Sequence, residues 1–276
     1  MKVGFTKMHG LGNDFVVIDT ISQPIEFSQQ TIQKLADRHF GIGCDQVLVI
    51  ESPRGDDTDF YYRIFNPDGS EVEACGNGAR CFARFVKDRG LSTKSSIPVG
   101  TLAGKITLRL LTDGNVEVDM GAPIFEPASI PFTAPQQAQT YSLQVDDQLL
   151  SISVLSMGNP HAVLIVPSVD HAAVATLGPL IENHPDFPQR TNVGFMQVVH
   201  SSEIHLRVYE RGTGETLACG SGACAAVVAG RQLGLLDEEV VVHLPGGDLV
   251  VKWHSEGQSV LIEGPAETVY EGTIDL

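Results

Sequence analysis

A-C-G-N-G-A-R at Ala74–Arg80 and A-C-G-S-G-A-C at Ala218–Cys224 are two copies of one phrase, and each opens a segment with helical spacing. The correspondence extends upstream without a gap: Arg63, Phe65 and Glu71 align with Arg207, Tyr209 and Glu215. One register therefore carries strand, loop and helix start together. Two copies point to a duplicated domain rather than a solenoid, which needs more units.

The bulk of the chain fits two such halves. Its 276 residues, 42% of them hydrophobic, are enough for two domains with a core each. No uninterrupted apolar stretch approaches the roughly 20 residues of a membrane helix, and the N-terminus M-K-V-G-F-T-K-M-H-G lacks the apolar run of a signal peptide. The expectation is a cytoplasmic protein with no membrane partner. The five cysteines are an odd count outside any disulfide framework, which fits free thiols in a reducing compartment. No Cys-x-x-Cys and no nearby His pair suggests zinc, so no metal site is expected. A formal net charge of -16 disfavours nucleic acid and anionic lipid, while leaving a small zwitterionic ligand open; solubility accounts for most of that charge.

Outward from the two phrases, the pattern alternates strands with turns. A helix is expected near Gln29–His39, and strands at Val47–Ile50 and Phe60–Phe65, with Asn66-Pro67-Asp68-Gly69 as a strong turn delivering the chain to Cys75. Ala79, Phe82, Phe85 and Val86 recur at helical spacing until Gly90. A connector runs from Pro123 to Pro135. In the second half H-A-V-L-I-V, a helical patch over 172–181 and the strand Glu203–Glu210 precede Cys219. The following A-C-A-A-V-V-A-G is apolar almost all round and reads as an enclosed helix. The fold class implied is α/β (α+β), with two pseudo-symmetric domains, 1–119 and 120–264, each a mixed sheet or barrel around a central helix.

A helix start offers unpaired N–H groups and the positive end of the dipole, which stabilise a thiolate and can also hold a carboxylate. If the halves face each other, Cys75 and Cys219 lie on opposite sides of one carbon, and opposite sides mean inversion. One thiolate removes an α-proton while the other thiol donates one, with no pyridoxal cofactor. A lone cysteine near a helix start is more often a small buried apolar residue. Here the repetition singles out Cys75 and Cys219, because Cys44, Cys81 and Cys224 are not repeated.

The sequence resembles the diaminopimelate epimerase family along nearly its whole length. The resemblance rests on H-G-L-G-N-D-F at His9–Phe15, G-C-D-Q at Gly43–Gln46, F-N-P-D-G-S at Phe65–Ser70 and E-A-C-G-N-G-A-R at Glu73–Arg80. It continues through G-N-P-H-A-V at Gly158–Val163, T-N-V-G-F at Thr191–Phe195 and Y-E-R-G-T-G-E-T-L-A-C-G-S-G-A at Tyr209–Ala223. It implies a cofactor-independent epimerase of LL- and meso-2,6-diaminopimelate, with the active site in a cleft between the halves and the final segment, 265–276, completing the first domain. Cys75 and Cys219 would be the acid/base pair, with His161 and Glu210 tuning them. Asn13, Gln46, Asn66, Gly76, Asn77, Asn159, Asn192, Glu210, Arg211, Gly220 and Ser221 would contact substrate. A homodimer involving Tyr270 is also implied.

The repeat breaks where Asn66-Pro67 is replaced by Glu210-Arg211. A guanidinium on one side only could pair with a distal carboxylate, so the reacting centre is symmetric while recognition of the far end is not. That speaks against proline racemase, whose substrate has no distal charged arm. The phenazine-biosynthesis relatives share the architecture without the two cysteines. A thiol hydrolase would need one Cys with a partner His and gives no reason for a second C-G-x-G. A non-catalytic amino-acid-binding protein could use the same helix ends.

Overall fold

The computed structural model describes residues 2–72 and 75–276. Its first half contains β1 (Lys2–Gly10), β2 (Asn13–Asp19), α1 (Gln29–Ala36), β3 (Gln46–Glu51), β4 (Phe60–Phe65), β5 (Glu71–Val72), α2 (Gly76–Asp88), β6 (Ser96–Thr101), β7 (Gly104–Leu110) and β8 (Val116–Asp119). A connector with one 3-10 turn at Pro127–Ser129 leads to β9 (Tyr141–Val145), β10 (Gln148–Ser156), β11 (Pro160–Ile165), α3 (Val174–Glu182), β12 (Asn192–His200), β13 (Glu203–Glu210) and β14 (Gly214–Thr216). Then come α4 (Gly220–Gln232), β15 (Glu239–Leu244), β16 (Gly247–Lys252), β17 (Leu261–Gly264) and β18 (Glu267–Asp275). The chain forms two compact units, 1–119 with 263–276, and 120–262.

Each unit has the same ladder. In the first, β1 pairs antiparallel with β2, β2 parallel with β3, β3 antiparallel with β4, and β4 parallel with β6 across α2. In the second, β10, β11, β12, β13 and β15 repeat that sequence of pairings, with α4 as the crossover. Parallel neighbours need a crossover long enough for a helix, which is why a helix follows each cysteine. Strand β18 returns to pair antiparallel with β1.

Helices cover both faces of each sheet, so the middle strands are buried along their length rather than alternating. In β2 and β3, Val16, Ile18, Val47 and Val49 share a core with Ile32 and Leu35 of α1. Phe15 and Leu48, one residue out of phase, face Gly78 of α2. In the second unit Val193 and Phe195 pack with Val174 and Ile181 of α3, and Met196 turns to Gly230 of α4. Helix α4 is buried at Gly220 and along Gly222–Gly230, as its all-round apolar sequence implied.

Helix α1 stops at Ala36, short of the expected His39. Asp37 leaves the helical region at ψ 122°, and its carboxylate accepts the N–H groups of His39 and Phe40 at 2.7 and 2.8 Å. This local capture of backbone donors competes with helix propagation, a habit of Asp that periodicity alone does not weigh.

Candidate active site

Because β2 and β3 are parallel and β4 runs against them, the starts of β2 and β3 and the end of β4 lie at one edge of the first sheet. Asn13, Gln46 and Asn66 stand there, and Gln46 Nε2 donates to Asn66 Oδ1 at 3.0 Å. Phe15 pairs with Gln46 and Val47 with Phe65, whereas His161 pairs with Asn192 and Val193 with Tyr209. These registers match Asn13 to Asn159, Phe15 to His161, Gln46 to Asn192 and Asn66 to Glu210. The expected site residues of each half are thus gathered at the same edge of its own sheet.

Cys75 and Cys219 are the N-cap residues of α2 and α4, both with extended backbone. Glu73 and Ala74 of the first phrase lie outside the described residues. The second glycine of each phrase serves packing beneath the thiol. A Cβ on Gly78 would come within 2.5 Å of Tyr62 Oη, and one on Gly222 within 3.0 Å of Val208 and 3.1 Å of Cys219 Sγ. Two pairs not foreseen from sequence brace the loops before the cysteines. Arg63 grips Glu71 through Nε and Nη2 at 2.9 and 2.7 Å, and Arg207 grips Glu215 in the same way at 2.6 and 3.0 Å. All four residues stand in the repeat alignment, which was the available signal; what it lacked was their bidentate geometry.

The two thiols differ in their neighbours. Cys75 Sγ donates to Asn13 Oδ1 at 3.7 Å. Cys219 Sγ accepts the Gly222 N–H at 3.3 Å and lies 3.6 Å from Ser221 Oγ. The helix start was expected to lower both thiol pKa values. At Cys219 burial prevails and pushes the thiol well above its ordinary value, Glu210 adds to this, and Ser221 and Gly222 offset only part of it. Removing the negative charge stabilises the thiolate, so Glu210→Gln lowers the Cys219 titration midpoint, read by ultraviolet thiolate absorbance against a Cys219→Ala blank. An unchanged midpoint would remove Glu210 as a tuning group. Cys44 is pushed up to about 12 by burial and Cys81 higher still, as expected of inert core thiols.

His161 is fully enclosed, and burial, followed by the Arg211 charge, drives it down to about 3. It is neutral, and Nε2 donates to Asn159 Oδ1 at 2.9 Å. The opposite end of that amide points to Ser221 Oγ at 3.4 Å. Asn192 spends its amide on backbone: Nδ2 donates to the Pro160 carbonyl at 2.9 Å, and Oδ1 accepts the Arg211 N–H at 3.0 Å. Its role in this geometry is to seat the turn that carries Arg211. Buried Glu182 accepts the Gly212 N–H at 2.7 Å and completes that seat. The Arg211 side chain is exposed, with Nη1 donating to the Gln189 carbonyl at 3.2 Å. Tyr270 is half exposed on β18 and packs edge-on to Phe5. Among the described residues no group of three or more His, Cys, Asp or Glu is placed to hold a metal ion, and no helix is long and apolar enough to cross a membrane.

The sequence pattern of diaminopimelate epimerase matches residues 5–126 and 153–269. The chain belongs to the diaminopimelate epimerase family. It is 59% identical over 276 residues to the diaminopimelate epimerase of Nitrosomonas europaea, covering 100% of both chains. It is 58% identical to that of Alkalilimnicola ehrlichii, again covering 100% of both. Membership makes it an isomerase. Among solved structures, its fold is similar to a Bacillus anthracis phenazine biosynthesis protein of the PhzF family, with TM-score 0.71, 17% identity and all of both chains covered. It is also similar to a hydroxyproline epimerase from Agrobacterium vitis, with TM-score 0.70, 13% identity, and 99% and 92% of the two chains covered. These two likenesses speak for the fold alone, a mixed α/β architecture of two pseudo-symmetric domains.

Proposed function

We propose that this chain interconverts LL- and meso-2,6-diaminopimelate in the cytoplasm, supplying lysine and peptidoglycan precursors, by a two-base mechanism that needs no cofactor. The observation that carries the mechanism is the duplicated helix-capping cysteine, one in each half of a member of the diaminopimelate epimerase family. One thiolate takes the α-proton, and the electron pair of the broken C–H bond spreads into the carboxylate. The opposite thiol delivers its proton to the other face, which leaves the first sulfur protonated and the second a thiolate. The N–H groups of the helix starts, at Gly76-Asn77 and Gly220-Ser221, stabilise the carboxylate charge as it grows.

Substrate recognition falls to Asn13, Gln46, Asn66, Asn77 and Asn159, with Asn192 acting through the turn it seats and Glu210 and Arg211 reading the distal ammonium and carboxylate. Asparagine and glutamine amides offer both donors and acceptors without changing site charge. His161 and Glu210 set the protonation of the thiols. The domains that contribute these groups are 1–119 with 265–276, and 120–264, and Tyr270 supports a homodimer.

Incubating the reduced protein with LL-diaminopimelate in deuterium oxide, without added metal or pyridoxal phosphate, gives deuterium at one α-carbon together with inversion. Protein that is fully reduced and folded yet exchanges nothing would sink the assignment.

A further inference from the structure

Among the described residues, one run of hydrogen bonds beside Cys75 has a single direction. Arg80 of α2 is fully buried, and a guanidinium only donates: Nη2 donates to Asn77 Oδ1 at 2.9 Å and Nε to the Pro265 carbonyl at 3.1 Å. Asn77 is thereby turned so that its Nδ2 donates to Asn13 Oδ1 at 3.1 Å. Asn13 Nδ2 donates in turn to Asp45 Oδ2 at 3.0 Å, and a carboxylate only accepts. Asp45 is itself anchored by Arg38 Nη2 at 2.7 Å and by the Asp14 N–H at 3.0 Å. A pure donor closes one end of the relay and a pure acceptor the other. Flipping either amide would bring like ends together, so the Asn13 oxygen is held toward Cys75, whose Sγ donates to it.

The second half is wired the other way at the matching positions. Cys224 stands where Arg80 does, Ser221 where Asn77 does and Thr191 where Asp45 does. Asn159 turns its oxygen to His161 and its nitrogen to Ser221, while Cys219 accepts the Gly222 N–H. Cys75 therefore meets an amide acceptor, whereas Cys219 takes a backbone N–H and is also hydrogen-bonded to the Glu210 carboxylate.

We propose that Arg80 and Asp45 are positioning residues that lock the Asn13 carboxamide with its oxygen on Cys75, and so hold this thiol in its protonated, proton-donating form before substrate enters. The proposal rests on the two-thiol reading above for its catalytic meaning. An amide oxygen accepts from S–H and repels a thiolate, whereas the flipped amide would donate to the thiolate, so the relay raises the Cys75 titration midpoint. Tyr62 from β4 and Cys81 from α2 also act electrostatically on Cys75. Charged Arg80 lies on α2, and Arg38, Asp14 and Lys7 stand behind Asn13 and Asp45.

The test is the pH dependence of iodoacetamide alkylation at Cys75, followed by peptide mass spectrometry in a Cys219→Ala background without substrate. Asp45→Ala and Arg80→Met are expected to lower the Cys75 midpoint by about one pH unit. Asp45→Asn keeps an acceptor for Asn13 Nδ2 while losing the charge, and is expected to stay with the parent. Unmoved midpoints in variants that melt like the parent would overturn the relay. Equal shifts in Asp45→Ala and Asp45→Asn would overturn it too, by assigning the effect to charge alone. Arg80→Met tests the other end independently, because losing the positive charge alone would raise the midpoint, while Arg80→Lys keeps a pure donor for Asn77 and is expected to stay with the parent. Failure of the two-thiol reading looks different, as a Cys75→Ala enzyme that still inverts substrate.

Discussion

Replacing either Cys75 or Cys219 with Ala is expected to lower the rate of diaminopimelate inversion by about 10²–10⁴-fold, the range supplied by a positioned acid or base. Affinity for the substrate changes little, because the sulfur makes its decisive contact with a proton in flight and the carboxylate is held by the helix-start N–H groups. The two losses do not add in the double variant, since a proton relay with one end missing is already broken. Each single variant keeps one thiol, which removes and returns a proton on a single face. Exchange of solvent deuterium into one stereoisomer therefore outlasts inversion. Parallel measurement of exchange, inversion and binding checks this, and inversion at the native rate in either variant would end the two-base account.

Phe82→Ala is expected to cost about 3–5 kcal/mol of stability, the usual range for truncating a fully enclosed aromatic side chain. Phe82 is wholly buried on α2, edge-on to Tyr62 with ring centroids 5.3 Å apart and to Phe60 at 6.0 Å. The cavity left behind would sit beneath the helix whose first turns carry Cys75, Asn77 and Arg80. Denaturant unfolding measures the loss, and Phe82→Leu recovers most of it. A loss below about 1 kcal/mol would mean that the sheet closes over the gap, contrary to the close packing inferred here. The matching residue in α4 is Ala226, equally buried, so the two units reach the same architecture with a large side chain in one and a small one in the other.

That contrast explains what was legible in the sequence. The aligned Arg63, Glu71 and Cys75 with Arg207, Glu215 and Cys219 disclosed the duplication, because loop-to-helix geometry around a thiol tolerates few residue types. The helix cores did not align, since a core constrains total volume and apolarity more than identity. Asp45 passed as a letter of the G-C-D-Q motif and Arg80 as the last letter of its phrase. Their partners are Asn13 and Asn77 respectively, and only the sheet register and the first turns of α2 bring the four into one relay.

By itself the sequence determined the duplicated strand–loop–helix plan, the capping cysteines and the one-sided Arg211, all of which are local patterns repeated or broken along the chain. Tertiary structure decided which way each amide points and how each thiol is loaded. Burial and Glu210 override the helix start at Cys219, and a fixed amide oxygen faces Cys75. The physical reason is that desolvation and hydrogen-bond direction belong to groups far apart in the chain, and no local pattern contains them.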